Sequence, residues 1–253
     1  PKFVETFAQR YLNEAAQGDS RYSRATIPDT ITINGVDRPT TNSNGKPIAQ
    51  DEDGVRRFWE WFGSSAVVDE QGRPRVVYHG TAADFSVFKQ SDVGIHFGNL
   101  EQAQSRISRN GDGSNIMPTY LSIQNPLLLK DATSWADPVH ALESGIGHYL
   151  SPGLVKEIDG LTAKYRAIPN LRTKGGQDAA KQLAGSITVK MRAELKAKGY
   201  DGIIYANTHD GETMSERMRA EDSWIAFDPE QAKSATGNIG EFSPTNQDIR
   251  YNV

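Results

Sequence analysis

Apolar positions recur along this chain in two rhythms, one typical of helices and one of short buried strands. A spacing of about 3.6 residues predicts helices over six stretches: 1–16, 53–62, 100–109, 137–150, 153–165 and 177–198. Short apolar runs predict strands at five places: 76–78, 94–97, 120–123, 202–205 and 223–227. The apolar path of the third continues beyond Pro126 at 127–129. The longest helix is expected to close at Gly199, because glycine readily adopts the left-handed conformation that follows a helix.

Proline and Asn-Gly pairs divide the remaining sequence. They predict a linker over 19–53 with one short hairpin at 30–38. Two domains are therefore expected, a helix with linker and hairpin over 1–52 and a main domain over 53–253. The polar stretch 206–222 is too long for a hairpin turn, and long loops in compact domains are often functional. The tail after 227 has no helical period and is expected to wrap the surface.

Composition narrows the class of protein. The 253 residues are 37% hydrophobic and 24% charged, which is enough to bury a core. The net charge of −4 gives no electrostatic footprint for nucleic acid or for an anionic membrane. The absence of cysteine excludes disulfides, thiolate metal sites and a cysteine nucleophile. No apolar run approaches the roughly 18 residues of a transmembrane helix.

The first strand-forming run ends in His79, Gly80 and Thr81. A histidine after a strand is often only a packed side chain, but its ring nitrogens can also hydrogen-bond a ligand hydroxyl. Glycine beside it permits a turn in which backbone amides approach a ligand closely. The tripeptide is therefore a candidate binding site.

Two further stretches follow in the chain, each built as an apolar strand with polar neighbours: 94–104 and 223–234. Together with 74–81 they resemble, in order, the three motifs of the ADP-ribosyltransferases, the group that includes diphtheria toxin and the poly(ADP-ribose) polymerases. The closest resemblance is to the ADP-ribosyltransferase domains of phage and prophage polyvalent proteins, and it covers roughly residues 30–253.

This resemblance implies an α+β fold in which two small antiparallel or mixed sheets form a split cleft for NAD, preceded by a helical N-terminal arm. It also implies that His79 binds a ribose hydroxyl and that Gly80 binds nicotinamide, with Thr81 supporting the turn. In the second motif His96 stands where the family usually has tyrosine, and it could stack on nicotinamide while neutral. Phe97 of the same motif is counted among the NAD-binding residues, although strand alternation is expected to turn its side chain towards the core.

Three residues near these motifs extend the predicted NAD site: Phe85 and Phe88, which could wall the adenosine, and Arg106 in the following helix. In the third motif Ser223 occupies the place of the usual catalytic glutamate, and a hydroxyl cannot replace its charge. Glu221 is the favoured substitute and Asp222 the next. The other candidate acids lie farther back in the loop: Glu216, Glu212 and Asp210.

The resemblance implies a mono-ADP-ribosyltransferase that moves ADP-ribose from NAD to a host macromolecule, with protein as the favoured acceptor, and releases nicotinamide. NAD is expected as substrate with no metal, in the cytoplasm of a bacterial host, to which the phage particle could deliver the protein. Two alternatives stay open: an NAD glycohydrolase, in which water intercepts the same cation, and a catalytically silent module with the same fold.

Overall fold

A computed structural model describes residues 27–83, 85–90, 92–108, 115–208, 221–238 and 240–250. The helix predicted at 1–16 lies outside these residues. The strands are β1 Thr30–Ile33, β2 Val36–Pro39, β3 Val77–Thr81, β4 Ile95–Phe97, β5 Asn115–Leu121, β6 Pro126–Leu129, β7 Gly202–Ala206, β8 Asp222–Ala226 and β9 Ala232–Ser234. The α-helices are α1 Glu52–Phe62, α2 Leu100–Ser108, α3 Pro138–Ala141, α4 Pro152–Asp159, α5 Leu161–Arg166 and α6 Lys174–Ala197. Short 3-10 helices cover Leu142–Ser144, Ile146–Tyr149 and Pro229–Gln231.

Two small sheets form the centre of the molecule. One is antiparallel in the order β3-β5-β9, and the other is mixed in the order β4-β8-β7-β6, with β6 and β7 parallel. A bridge joins them, because Tyr78 N donates to Gly98 O at 2.8 Å and Gly98 N donates to Tyr78 O at 3.0 Å. Beyond this bridge β3 and β4 separate and leave a cleft. The predicted α+β fold with two split sheets is thus confirmed.

Strand β5 begins five residues earlier than its apolar pattern predicts and runs through Pro118. Pro118 lies opposite Tyr78, whose backbone groups bind Gly98 instead of β5. The missing N–H of proline therefore costs no ladder hydrogen bond at this position. On its other side Pro118 O accepts from Ala235 N at 2.9 Å, which extends the pairing with β9.

The α1 helix organises an aromatic core. Phe58 stacks on Phe62 with ring centroids 5.0 Å apart and meets the edge of Tyr120 at the same separation. Helix α1 begins at Glu52, because the side chain of Asp51 caps it by accepting from Gly54 N at 2.7 Å. The helical periodicity of this segment predicted both the helix and its buried face.

The hairpin predicted at 30–38 is confirmed, since β1 and β2 pair antiparallel. Its Ile31 is buried against the α1 aromatic core together with Ile48. Buried Asn42 adds a polar tie by donating from Nδ2 to the Tyr120 hydroxyl at 2.7 Å. The predicted linker therefore packs onto the main body, and the domain boundary at 52 stays a prediction.

The prediction that the tail wraps the surface is wrong. Strand β9 joins the antiparallel sheet, and Phe242 and Ile249 are only 2% and 1% exposed. Lys233 on β9 is fully buried and donates from Nζ to Asn246 O, which holds the tail against the sheet. Isolated apolar residues in an irregular segment carry no period, so their burial left no sequence signal.

Helix α6 covers the mixed sheet through Ile187, Met191 and Leu195. It ends as predicted at Gly199, whose φ is +88°. It begins three residues before the predicted start because Thr173 caps it, accepting from Gly176 N at 3.2 Å. Among the described helices, none is long and apolar enough to cross a membrane.

Candidate functional site

A cavity of about 680 Å³ opens where the two sheets separate. One wall is the exposed edge of β3 with the segment that follows it, and a second is β4 with α2. The third wall is formed by residues 131–136 beyond β6 and by the ends of β7 and β8. In the mixed sheet β8 lies between β4 of the second wall and β7 of the third. All three sequence motifs therefore meet at one cavity.

His79 lies at the β3 edge with its ring orientation set on both sides. Its Nδ1 is 2.8 Å from His96 O, and because a carbonyl only accepts, Nδ1 carries the hydrogen and Nε2 keeps its lone pair. The Phe88 ring meets the imidazole edge-on at 5.0 Å. Burial lowers the pKa of His79, and the Arg106 charge lowers it further, so the neutral ring is favoured.

Gly80 lies within strand β3 and not in a turn, which corrects the turn geometry expected for it. The ladder continues past it, since Thr81 still pairs with Asn115. Backbone direction alternates along a strand, so the N–H and C=O of Gly80 face the same edge as those of Tyr78. That edge is the cavity. A Cβ at Gly80 would lie 2.6 Å from Ala103 O, so only glycine lets α2 pack this closely.

His96 lies on β4 with its side chain lining the cavity. Burial and the charge of Arg106 lower its pKa to about 3, so the imidazole is neutral at physiological pH. Its Nε2 is buried and has no hydrogen-bond partner within the described part of the chain. The nearest carboxylate oxygen, Asp92 Oδ2, is 4.0 Å away. A neutral ring removes the repulsion that a charged imidazole would exert on a nicotinamide cation.

Three phenylalanines surround His79. Phe97 is buried in the core between the sheets, as predicted, and its ring packs 5.7 Å from that of His79. Phe88 is also buried, and half-buried Phe85 lies against it with centroids 5.0 Å apart. All three line the cavity, with Phe85 and Phe88 on its first wall and Phe97 on its second.

Arg106 is exposed on α2 at the cavity mouth. Its positive charge lowers the pKa of His79 and His96, and it opposes the rise that burial produces in the pKa of Asp92. The guanidinium therefore acts electrostatically on the groups that line the cavity.

Ser223 lines the cavity and is 1% exposed. Its Oγ donates to Gln102 Oε1 at 3.0 Å and accepts from Asn207 Nδ2 at 3.0 Å. The residue at the usual glutamate position is thus an uncharged member of a buried hydrogen-bonded chain. Sequence reasoning did not identify Gln102 and Asn207, because amides on a helix and after a strand carry no distinctive spacing.

Glu221 and Asp222 are both exposed, and neither is among the described residues that line the cavity. Glu221 Oε2 accepts from Asn99 Nδ2 at 2.5 Å, and Glu221 O accepts from Gln102 Nε2 at 3.2 Å. The structure therefore places Glu221 just behind the cavity lining. The remaining candidate acids lie outside the described residues: Glu216, Glu212 and Asp210.

Two acids that sequence reasoning missed do line the cavity, Asp92 and Asp131. Trp135 lines the third wall beside Tyr205, with ring centroids 5.0 Å apart. Asp92 lies two residues before Gly94 of the second motif, and this closeness to the motif could have identified it from the sequence. Within the described residues, no group of three His, Asp or Glu side chains is suited to hold a metal ion.

Comparison with known proteins agrees with this geometry. The family model described as ADP-ribosyltransferase in polyvalent proteins matches residues 69–242, which include all three motifs. Neither the curated proteins nor the solved structures gave a match. Because the family model covers well over half of the chain, the protein belongs to the ADP-ribosyltransferase family of polyvalent proteins.

Proposed function

We propose that this domain transfers ADP-ribose from NAD to a macromolecule of a bacterial host, with protein as the favoured acceptor, and releases nicotinamide. One observation carries the proposal. At the β3 edge the backbone N–H and C=O of Gly80 face the same cavity as the imidazole of His79. A donor, an acceptor and a ring nitrogen are thus offered side by side.

The Gly80 backbone matches the carboxamide of nicotinamide. A primary carboxamide carries one acceptor oxygen and one donor nitrogen, so it forms two hydrogen bonds with a peptide group pair of opposite polarity. These bonds hold the leaving group by backbone atoms, which need no particular side chain. Close packing of α2 behind Gly80 keeps this edge rigid.

The side chains around it suit the rest of NAD. His79 Nε2, with its lone pair free, accepts from a ribose hydroxyl. The neutral ring of His96 stacks on the nicotinamide. Arg106 and Lys89 supply positive charge for the diphosphate, and Phe85 with Phe88 offers an apolar wall to the adenosine.

The chemistry follows from orientation and electrostatics. Breaking the bond between nicotinamide and ribose develops positive charge on the ribose, so rigid binding of the leaving group and nearby negative charge lower the barrier. Because β3 holds the leaving group on one side of β8, the acceptor approaches from the third wall, at residues 131–136. If water enters there instead, the same site acts as an NAD glycohydrolase.

The silent-module alternative has one observation in its favour, the uncharged and hydrogen-bonded Ser223 at the third motif. Calorimetry with NAD and chromatographic detection of nicotinamide separate the possibilities. We expect binding and nicotinamide release, and transfer of label from NAD to host protein when lysate is added. Binding without release would identify the silent module, and release without labelled macromolecule would identify the glycohydrolase.

A further inference from the structure

Transfer of ADP-ribose requires negative charge beside the ribose, and the described residues of the third motif place no carboxylate in the cavity lining. Ser223 is uncharged, and Glu221 and Asp222 are exposed outside the cavity lining. Among the described residues, the carboxylates that line the cavity belong to Asp92 and Asp131. One of these two is therefore the better candidate for the charge beside the ribose.

The carboxylate of Asp131 is already engaged in holding backbone. Its Oδ1 accepts from Ala132 N at 2.8 Å, and its Oδ2 accepts from Thr208 N at 2.7 Å and from Thr208 Oγ1 at 3.2 Å. These bonds tie the end of β6 to the segment leaving β7. For Asp92, by contrast, no described residue hydrogen-bonds to the carboxylate.

The backbone conformation at Asp92 is unusual and is held by contacts from helix α6. Asp92 has a φ of 50°, a left-handed conformation that non-glycine residues rarely adopt. Arg192 on α6 is 8% exposed and donates from Nη1 to Asp92 O at 3.2 Å and to Val93 O at 3.5 Å. Its Nη2 donates to Gln90 Oε1 at 3.2 Å. The contacts of Arg192 hold this turn in place, and left-handed non-glycine residues cluster at functional sites.

The turn brings Asp92 beside His96, four residues later. The distance of 4.0 Å between Asp92 Oδ2 and His96 Nε2 is too long for a direct hydrogen bond. A hydroxyl oxygen between them can lie about 2.8 Å from both atoms. The buried Nε2 lacks a partner within the described residues, and carboxylates commonly bind ribose hydroxyls. The pair therefore suits a ribose hydroxyl.

We infer that Asp92 supplies the catalytic carboxylate of this site, accepting a hydrogen bond from a hydroxyl of the nicotinamide ribose and lying beside the cation that forms at C1′. This inference rests on the proposed function. The bond from C1′ to nicotinamide breaks, and its electron pair leaves with nicotinamide, which becomes neutral. A lone pair of the acceptor forms the new bond to C1′, and the acceptor's proton passes to solvent. Asp92 remains a carboxylate throughout.

Partial burial strengthens this electrostatic effect, because solvent screens the Asp92 charge less. Burial also raises the pKa of Asp92, but the positive charges of Arg106 and Lys181 oppose that rise and favour the carboxylate. The charge is thus held in a place where it acts strongly on a neighbouring cation.

Asp92→Asn in the full chain tests the inference. Asparagine tolerates the left-handed backbone and keeps a hydrogen-bonding oxygen, so the variant should fold and bind NAD within about threefold of wild type. Nicotinamide release, measured by chromatography in single-turnover experiments with enzyme in excess and at a concentration that saturates binding, should slow about a hundredfold to a thousandfold. Asp92→Gly also suits this backbone but lacks the oxygen, so it should weaken NAD binding as well. Glu101→Gln, which changes an exposed acid on α2, is the matched control and should match wild type.

The outcomes separate this inference from the proposed function. Wild-type cleavage together with full activity of Asp92→Asn overturns the inference and leaves the function standing. A hundredfold loss in Asp131→Asn with an active Asp92→Asn assigns the carboxylate to Asp131 and also overturns it. A variant impaired only in NAD affinity makes Asp92 a binding residue without a catalytic role. If the wild-type protein neither binds NAD nor releases nicotinamide, both the function and the inference fail.

Discussion

The edge of β3 and the entrance of β8 face the same cavity but present different chemical groups to it. At β3 these groups are the peptide N–H and C=O of Gly80 and the imidazole of His79, whose orientation is set by His96 O. At β8 the position of the usual catalytic glutamate holds Ser223, whose hydroxyl is buried. The nearby acid Glu221 binds Asn99 outside the cavity lining.

This difference indicates which functional groups of a site can be supplied from another position in the chain. A backbone group reaches the cavity only if strand register and helix packing are kept, as at Gly80. A carboxylate acts through space, so a loop beside the same cavity can supply it without moving a strand. Asp92, on the loop before β4, has the position for such a replacement.

The largest effect on the β3 side is expected from His79→Ala. The variant loses one hydrogen bond to the ribose, about 0.5–1.5 kcal/mol of binding, and loses orientation as well. We expect NAD affinity to fall up to about tenfold and nicotinamide release to fall about a hundredfold. Release and affinity within about twofold of wild type would contradict the assignment of the first motif.

Gly80→Ala should act mainly through packing. The new Cβ would lie 2.6 Å from Ala103 O, a backbone atom that cannot move without shifting α2. We expect a loss of about 1–3 kcal/mol in the free energy of unfolding, measured by urea denaturation, together with weaker NAD binding. Gly185→Ala is the matched control, because nothing lies within 4 Å of its Cβ in helix α6. That variant should gain about 0.5–1 kcal/mol.

How much of this could be predicted from sequence differs between the same two regions. The period of α1 and α6 predicted both helices, and the ordered motifs predicted the split sheets and the roles sought at His79 and Gly80. The sequence did not show that Gly80 lies in a strand, because its partner strand β5 contains Pro118, and proline usually interrupts a strand. Only the structure shows that Tyr78, opposite Pro118, forms its backbone hydrogen bonds with Gly98 instead.

The β8 side was less predictable for a physical reason. Glu221 was predicted because it is close to Ser223 in sequence. Burial and side-chain direction, however, decide which carboxylate faces the cavity. Asp92 reaches it through a left-handed residue held by Arg192, which lies a hundred positions later in the chain. A contact between such distant positions leaves no local pattern.

The free energy of unfolding should depend on pH through His96, which faces the cavity from β4. The pKa of its ring is about 3 in the folded protein and about 6.5 when unfolded, so the unfolded state binds more protons between these values. Stability should therefore fall as pH drops from 6.5 towards 3. Between pH 7 and 5 the loss due to His96 is at most about 2 kcal/mol, less any screening at its 29% exposed side chain.

Urea denaturation of wild type and His96→Gln at several pH values measures this contribution. The pKa of His79 is also lowered and its effect has the same sign, so only the difference between the two proteins reports on His96. Parallel pH profiles would show that His96 is protonated as readily in the folded protein as in the unfolded chain.

The smallest effect is expected from Glu221→Gln, the variant that decides between the two carboxylate positions. Placement by the third motif alone predicts a loss of about a hundredfold to a thousandfold in nicotinamide release. The structure gives a different expectation, because the Glu221 side chain is exposed and binds Asn99 at 2.5 Å. Glu221 meets cavity-lining residues through its backbone carbonyl, which accepts from Gln102 Nε2 at 3.2 Å and from Asn207 N at 2.9 Å. Glutamine can keep an oxygen on Asn99, so release should stay within about threefold of wild type. Asp222→Asn is the matched control, since it removes the adjacent exposed acid. A thousandfold loss confined to Glu221→Gln would mean that this side chain enters the cavity when NAD binds, and the catalytic charge would then belong to β8 after all.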